Sequence, residues 1–430
     1  MRFTLALVLY RLLFLLLTPL LLVVLLIRSI SQQAYRKRLL ERFGFIAKNL
    51  KPHGIVVHAA SVGEIIALKP FISQLLTINP DTPITVTTFT PTGSAQVQKL
   101  FADKVQHCYL PLDNICSTTL FLNRLKPKAM VFMETELWPN LIAQCKNNHI
   151  KLLLVNGRLS DKSMRSYKKF AWLITPTIQK FDKILTQSQV NQDNYLAMGA
   201  TPETCKLSGN LKFDVSLNID IKIKQQELKS LLTANRKVWL IASTHPGDEA
   251  LALKAFEQVK KQDSQALLII VPRHPERFEQ VAKLAHDAGN KVLKRSQNTP
   301  VSLNTHVWII DTLGELLAAC ALADVVTMGG SFSDIGGHNP LEPALFQKPV
   351  ITGPNMSNFK EILAQLLSAQ GIIQLLENDD MPSTLASEVL RLFTDETSAK
   401  VLGNNSYKVV LANQGATAQS LTALHTLIKS

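Results

Sequence analysis

The sequence predicts an α/β chain made of two doubly wound, parallel-sheet units behind an apolar N-terminal segment. Three observations predict it. Short apolar runs alternate with amphipathic stretches, which is how parallel strands and their crossover helices read. The alternation restarts after Asn210, so two units are expected rather than one. The motifs rich in Gly, His, Arg and Glu fall directly after apolar runs, at the carboxyl ends of strands, where ligands bind in such sheets.

The N-terminal segment comes first. Phe3 to Ile27 is almost wholly apolar, with Arg11 the only charge and Thr18 and Pro19 inside the run. As a helix it would be about 37 Å long, enough to cross a bilayer core. Arg11 either snorkels to an interface or makes the segment a shallow, partly inserted anchor. Arg28, Arg36, Lys37, Arg38 and Arg42 follow. A basic flank keeps its side of a span in the cytoplasm. A cleavable leader would end in small residues, and here arginine ends the apolar core instead, so an uncleaved anchor over 1–30 is expected.

In the first unit, Ile55–Ala59, Ile84–Thr88, Ala129–Met133, Leu152–Val155 and Lys183–Thr186 read as buried strands, and Ile65–Leu76 as a helix. A polar, lysine-rich stretch from about Val215 to Asn235 reads as a linker and one helix. Val238–Ala242, Leu267–Val271, Val307–Ile310, Asp324–Met328 and Val350–Thr352 then read as strands of the second unit. The expected division is 31–215 and 216–430. Two such units facing each other would leave a cleft at their strand ends.

Composition narrows the function. Of 430 residues, 46% are hydrophobic, enough for two cores, and the net charge is +13. A basic balance suits anionic lipid, a phosphorylated substrate or nucleic acid. No aromatic-interleaved basic patch or nucleic-acid module is present, which disfavours the last. The cysteines Cys108, Cys116, Cys145, Cys205 and Cys320 are odd in number and lack C-x-x-C spacing. That disfavours a disulfide framework and a structural zinc site, and free buried thiols are expected.

Two acidic motifs lie in the first unit. His58-Ala59-Ala60-Ser61-Val62-Gly63-Glu64 stands where the first strand gives way to a helix. Glu64 there is either a helix-start acid complementing the dipole or a general base for a hydroxyl. Met133-Glu134-Thr135-Glu136-Leu137-Trp138-Pro139-Asn140 sets two acids directly after a buried strand. Such charges are costly to bury unless paired or used. The bland alternative is an exposed loop before a helix started by Pro139.

The second unit carries anion-binding chemistry. Val271-Pro272-Arg273-His274-Pro275-Glu276-Arg277 follows a strand, and arginine grips phosphate bidentately. Gly329-Gly330-Ser331 and Gly336-Gly337-His338-Asn339-Pro340-Leu341-Glu342 stand between a strand and a helix that Pro340 would start. Glycines so placed bring backbone amides to a phosphate, and Glu342 is then placed for a ribose hydroxyl pair. Ser243-Thr244-His245 and Asp311-Thr312-Leu313-Gly314-Glu315 are weaker candidates for phosphate and base. No G-x-G-x-x-G or Walker A loop is present, so hydride transfer and P-loop ATP chemistry lack their signatures.

Taken together, H-A-A-S-V-G-E, M-E-T-E-L-W-P-N, the S-G-N-L-K-F-D run at Ser208–Asp214, P-R-H-P-E-R-F and G-G-H-N-P-L-E-P-A resemble the bacterial 3-deoxy-D-manno-octulosonic acid (Kdo) transferases over nearly the whole chain. The resemblance implies a GT-B fold of two Rossmann-like domains, 31–215 binding the acceptor and 216–430 the CMP-sugar. It implies inverting transfer of Kdo from CMP-Kdo to lipid IVA, the lipid A precursor, at the bacterial inner membrane, with the catalytic domains on the cytoplasmic side. It implies Glu64 as catalytic base, and Glu134 and Lys212 as the pair stabilising the transition state. It also implies CMP contacts from Pro272, Arg273, Leu313, Gly314, Glu315, Asn339, Pro340, Leu341 and Glu342. No cofactor and no metal are expected, because fixed cations and helix N-termini can take the growing charge. Two alternatives stand beside this reading: another nucleotide-sugar enzyme of the same fold, such as an epimerase, and a membrane-tethered binding protein without turnover.

Overall fold

The computed structural model describes residues 2–31, 33–214 and 219–429, and the chain divides into two compact units. The first sheet is built from β1 (Ile55–His58), β2 (Ile84–Thr88), β3 (Gln106–Tyr109), β4 (Ala129–Met133), β5 (Lys151–Gly157), β6 (Lys183–Thr186) and β7 (Cys205–Leu207). Its order is β3-β2-β1-β4-β5-β6-β7, and its pairs are parallel. Alternate residues serve opposite faces. Val57, Val86, Val131 and Leu153 pack one core, and Val56, Met130, Phe132 and Leu154 pack the other. Burial on both faces is why these strands are apolar without interruption.

The second sheet holds β8 (Val238–Thr244), β9 (Leu267–Pro272), β10 (Val292–Lys294), β11 (Val307–Ile309), β12 (Val325–Met328), β13 (Val350–Thr352) and β14 (Ile373–Gln374). The order is β10-β11-β9-β8-β12-β13-β14. In each unit the first strand sits centrally, with the chain running out to one side and then to the other. The crevices at the reversal open between the carboxyl ends of β1 and β4, and of β8 and β12. Ligands bind in such crevices in doubly wound sheets.

Three expectations about elements and boundaries need correction. The helix expected over Ile65–Leu76 is two, Val62–Ala67 and Lys69–Ile78, with Pro70 in the first turn of the second. The strands β3, β7, β10 and β14 were not expected, and they are the four sheet edges. The division 31–215 and 216–430 fails at its end, because the chain from Asn413 onward joins the first unit. The helix Ala416–Lys429 buries Ala416, Leu421, Leu424 and Leu427 among Phe71, Leu75 and Val155. The Asp214 carboxylate accepts hydrogen bonds from the backbone N–H groups of Gly415, at 2.6 Å, and Thr417. An acid there satisfies orphan donors and complements the dipole.

Of the expected linker, residues 215–218 lie outside the described residues, and Ile219–Leu231 is a helix. All five thiols are free, but Cys116 is exposed rather than buried. Among the described residues, one helix, Leu5–Arg28 within Arg2–Ser31, is long and apolar enough to cross a membrane.

Candidate functional site

In the first unit the site grows from the carboxyl ends of β1 and β4. Ser61 caps the helix Val62–Ala67 in extended conformation, its Oγ accepting from the Glu64 backbone N–H at 3.3 Å. Glu64 answers: its carboxylate accepts from the Ser61 hydroxyl at 2.7 Å and from the Ala60 N–H at 2.9 Å. The arrangement is close to a capping box, with the Ala60 amide and the Ser61 hydroxyl in place of the Ser61 amide, and the S-x-x-E spacing of S-V-G-E is its signature. It fixes the Glu64 carboxylate in place and leaves lone pairs for a further donor. Burial raises the carboxyl above its usual range. The two hydrogen bonds oppose that shift, and the charges of Glu134 and Glu136 add to it.

Glu134 follows β4 directly in a left-handed conformation, φ 56°, which a side chain rarely adopts without support. The support is backbone pairing: its N–H donates to Val155 O at 3.0 Å, and its carbonyl accepts from the Tyr195 hydroxyl at 3.3 Å. Glu136 has separate work. It accepts from the Trp138 indole at 2.9 Å and lies 3.4 Å from Nε2 of the fully buried His58. Burial pushes its carboxyl up, but the His58 and Trp138 contacts outweigh burial and the net shift is downward. Trp138 stacks on Phe89, with ring centroids 5.7 Å apart. Glu64 and Glu136 therefore differ, one raised and one lowered at neighbouring strand ends. Such divergence separates a proton acceptor from a fixed charge.

Lys212 lies in the short turn Leu211–Phe213, capped by Asn210. Asn156 Oδ1 holds the Leu211 N–H at 2.9 Å. Much of the S-G-N-L-K-F-D run is thus structural, with Asn210 capping the turn and Asp214 tying down the C-terminal helix. Lys212 remains half-exposed between buried Leu211 and Phe213.

In the second unit the crevice between β8 and β12 is lined by glycine and histidine. Gly330, at φ 68°, donates its N–H to Asp248 Oδ2 at 2.7 Å, and the same oxygen takes the His245 N–H at 2.8 Å. Burial pushes the Asp248 carboxyl up to about 6. Gly337 has φ 75°, a conformation that favours glycine, and a Cβ there would also push the Met356 side chain aside, meeting Sδ at 2.2 Å. His245 and His338 stack with Nε2 atoms 2.8 Å apart, and His274 lies edge-on to His245. Burial, then the charge of Arg273, holds His338 down at about 4. A hydrogen bond between the two Nε2 atoms requires one ring to donate and the other to accept.

Pro272 ends β9, and Arg273 follows it, exposed, with its N–H on Thr244 O at 3.1 Å. Arg277, the other arginine of that motif, is not available to a ligand. It binds the buried Glu249 through two hydrogen bonds, 2.6 and 3.1 Å. Asn339 caps its own loop through Leu341 N–H at 3.2 Å. Pro340 precedes a helix of only four residues, Leu341–Ala344, shorter than its spacing suggests. Burial raises Glu342 to about 7, with Arg273 opposing. Leu313 is exposed, and Gly314 turns at φ 77°. Glu315 is buried, paired with Arg295 at 3.3 Å and bonded to Thr312. Among the described residues there is no cluster of three or more His, Cys, Asp or Glu groups set to hold a metal ion.

Known proteins give the context. Residues 37–215 match the family model described as 3-deoxy-D-manno-octulosonic-acid transferase (kdotransferase). The 3-deoxy-D-manno-octulosonic acid transferase of Haemophilus influenzae is 39% identical over 417 residues, 96% of this chain and 97% of that one. That of Rickettsia bellii is 32% identical over 413 residues, 94% and 96% of the two chains. A solved UDP-GlcNAc 2-epimerase from Neisseria meningitidis is similar at TM-score 0.54 and 15% identity, covering 88% of this chain and 100% of that one. A glycosyltransferase from Rickettsia africae is similar at TM-score 0.52 and 13% identity, covering 88% and 98%. These two likenesses are of fold alone, and the fold is GT-B-like. The sequence likeness extends through both units, and by it the chain belongs to the 3-deoxy-D-manno-octulosonic acid transferases.

Proposed function

We propose that this enzyme transfers Kdo from CMP-Kdo to lipid IVA with inversion at the anomeric carbon, and that Glu64 is the general base. The observation that carries the assignment of the base is the raised, hydrogen-bond-fixed Glu64 carboxylate at the β1 end, beside Glu134 and Glu136. A base must be ionised yet basic enough to accept a proton, and a raised carboxylate meets both needs. In the reaction Glu64 takes the proton of the acceptor sugar hydroxyl. The hydroxyl oxygen bonds to the anomeric carbon while the bond from that carbon to the CMP phosphate oxygen breaks. CMP leaves carrying the electron pair, and a single displacement inverts the centre. Glu134 and Lys212 stabilise the charge redistribution.

CMP binding is assigned to the second unit: Pro272 and Arg273 beside the phosphate, Leu313, Gly314 and Glu315 beside the base, and Asn339, Pro340, Leu341 and Glu342 beside the ribose. Arg273 and the amides of the glycine loop supply fixed positive potential where the leaving phosphate gains charge. The apolar N-terminal helix and its basic flank hold the chain at the bacterial inner membrane, with both units on the cytoplasmic side.

Transfer of labelled Kdo from CMP-Kdo to lipid IVA by the purified full chain, with and without EDTA and with products resolved by mass, tests the reading. Product in both arms is expected. Well-folded, CMP-binding protein that forms no product would overturn the choice of donor sugar or acceptor. Product lost in EDTA alone would overturn the assignment of charge stabilisation to the chain's own groups. Glu64→Gln is expected to lower the rate about 10²–10⁴-fold with CMP-Kdo binding retained; a fully active variant would remove Glu64 as the base.

A further inference from the structure

The N-terminal helix Arg2–Ser31 is tied to the first unit near its start. The Tyr10 hydroxyl donates to Asp113 Oδ2 at 2.8 Å, and Arg11 Nε donates to Asn140 Oδ1 at 2.8 Å. Asp113 is fully buried and also accepts from the backbone N–H groups of Asn140 and Leu141, at 3.0 and 2.8 Å. Ala6 and Leu7, one turn earlier, are buried. The far end of the helix leads into chain folded on the same unit: Glu41 and Arg42 are buried, and Leu112 N–H donates to Arg42 O at 2.8 Å. Twenty residues of helix rise about 30 Å, the thickness of a bilayer core. A crossing helix would carry Tyr10 and Arg11 to the far side, away from Asp113 and Asn140. The helix start, at Tyr10 and Arg11, and the chain ten residues past its end, at Glu41 and Arg42, rest on one body, so both lie on one side of a bilayer.

What the helix leaves outward is apolar. Leu9, Leu13, Leu16, Leu20, Val24 and Ile27 are exposed. Beside it packs the helix Ala171–Ile178, with Phe170 at its start 55% exposed and Trp172 50% exposed. The preceding helix, Asp161–Lys168, carries exposed Lys162, Arg165 and Lys168, and Lys169 follows it, also exposed. Aromatics at an interface, flanked by cations and continuous with an apolar surface, suit anionic lipid.

We propose that the N-terminal helix is an in-plane anchor, clamped to the first unit at Tyr10 and Arg11. It enters one leaflet of an anionic bilayer together with Phe170 and Trp172, without crossing. Arg11, the one charge in the apolar run, is there to hold the helix to the protein. The inference rests on the membrane reading above, which sedimentation with membranes tests separately. Full chain left in the supernatant would overturn both.

The experiment fuses a short hydrophilic tag with one cysteine to the N-terminus of the full chain carrying Cys116→Ser, which silences the exposed thiol. Sealed right-side-out inner-membrane vesicles are treated with a membrane-impermeant maleimide. No labelling is expected until detergent opens the vesicles. Labelling of intact vesicles from a sedimenting chain would show a crossing helix and overturn only this inference. With Tyr10→Phe and Arg11→Leu together, labelling of intact vesicles should appear where the wild type shows none; its absence would overturn the clamp. For Trp172, liposomes of phosphatidylglycerol with brominated acyl chains should quench tryptophan emission of the wild type. That quenching should disappear in Trp172→Phe, and quenching of equal depth in both would overturn the aromatic contact.

Discussion

Glu64 does two jobs with one carboxylate. It answers the Ser61 cap by accepting from the Ser61 hydroxyl and the Ala60 N–H, and those bonds orient its oxygens toward a fixed place. Burial, reinforced by Glu134 and Glu136, raises its affinity for a proton. A base works deprotonated, so activity should fall as pH drops through its pKa, and the raised value moves that acid limb upward. Glu136→Gln removes one negative neighbour, so the Glu64 pKa should drop and the acid limb of kcat/KM should move to lower pH. A profile of kcat/KM against pH for the two enzymes checks the shift. Ser61→Ala removes the cap and should cost about 1 kcal/mol of stability, read by urea denaturation, with a larger loss in kcat than in KM. The H-A-A-S-V-G-E motif pointed to Glu64, and the S-x-x-E spacing also held the means of orienting it. The sequence could not separate Glu134 from Glu136, because only the fold sets His58 and Trp138 beside the second acid.

At the scale of elements, the glycine loop after β12 is shaped by close approach. Gly337→Ala puts a Cβ 2.2 Å from Met356 Sδ at positive φ. Backbone strain of this kind costs about 1–3 kcal/mol, so urea denaturation should show a loss of that order and CMP should bind more weakly by calorimetry. The histidines beside this loop give a pH signature. His338 is held at about 4 in the folded chain against an ordinary 6.5. The unfolded chain therefore binds the proton better, and stability present above pH 6.5 is lost as pH falls toward 4. Raised carboxyls such as Asp248 and Glu342 act with the opposite sign in the same window, so the check is a difference: thermal melts of the wild type and His338→Gln between those pH values should show the variant losing less stability on acidification. The loop was legible as paired glycines after an apolar run. The diversion of Arg277 to Glu249, by contrast, depends on a contact between two separate segments of the chain that no local spacing records.

For the whole molecule, the C-terminal helix is the deciding element. Its apolar stripe of Leu421, Leu424 and Leu427 closes the first core rather than the second. Leu424→Ala should therefore destabilise the first unit by about 2–5 kcal/mol and leave the second intact. Hydrogen exchange in urea, read separately over β1–β6 and β8–β13, distinguishes the two. Loss of protection in the second sheet alone would contradict the assignment.

The sequence by itself determined the two-sheet α/β architecture, because strands buried on both faces must be apolar throughout and cannot be mistaken for surface. It also determined where the chemistry stands, since polar motifs abutting buried strands have only the strand ends to occupy. The family followed from the same motifs. The tertiary structure decided which sheet the last helix covers, because a stripe at helical spacing is equally apolar toward either core. It decided the edge strands, which are short and one-sided and carry little pattern. It also decided the use of Arg11. In the linear sequence a lone charge in an apolar helix is ambiguous, and only the fold brings Asn140 to it, across 129 residues of chain.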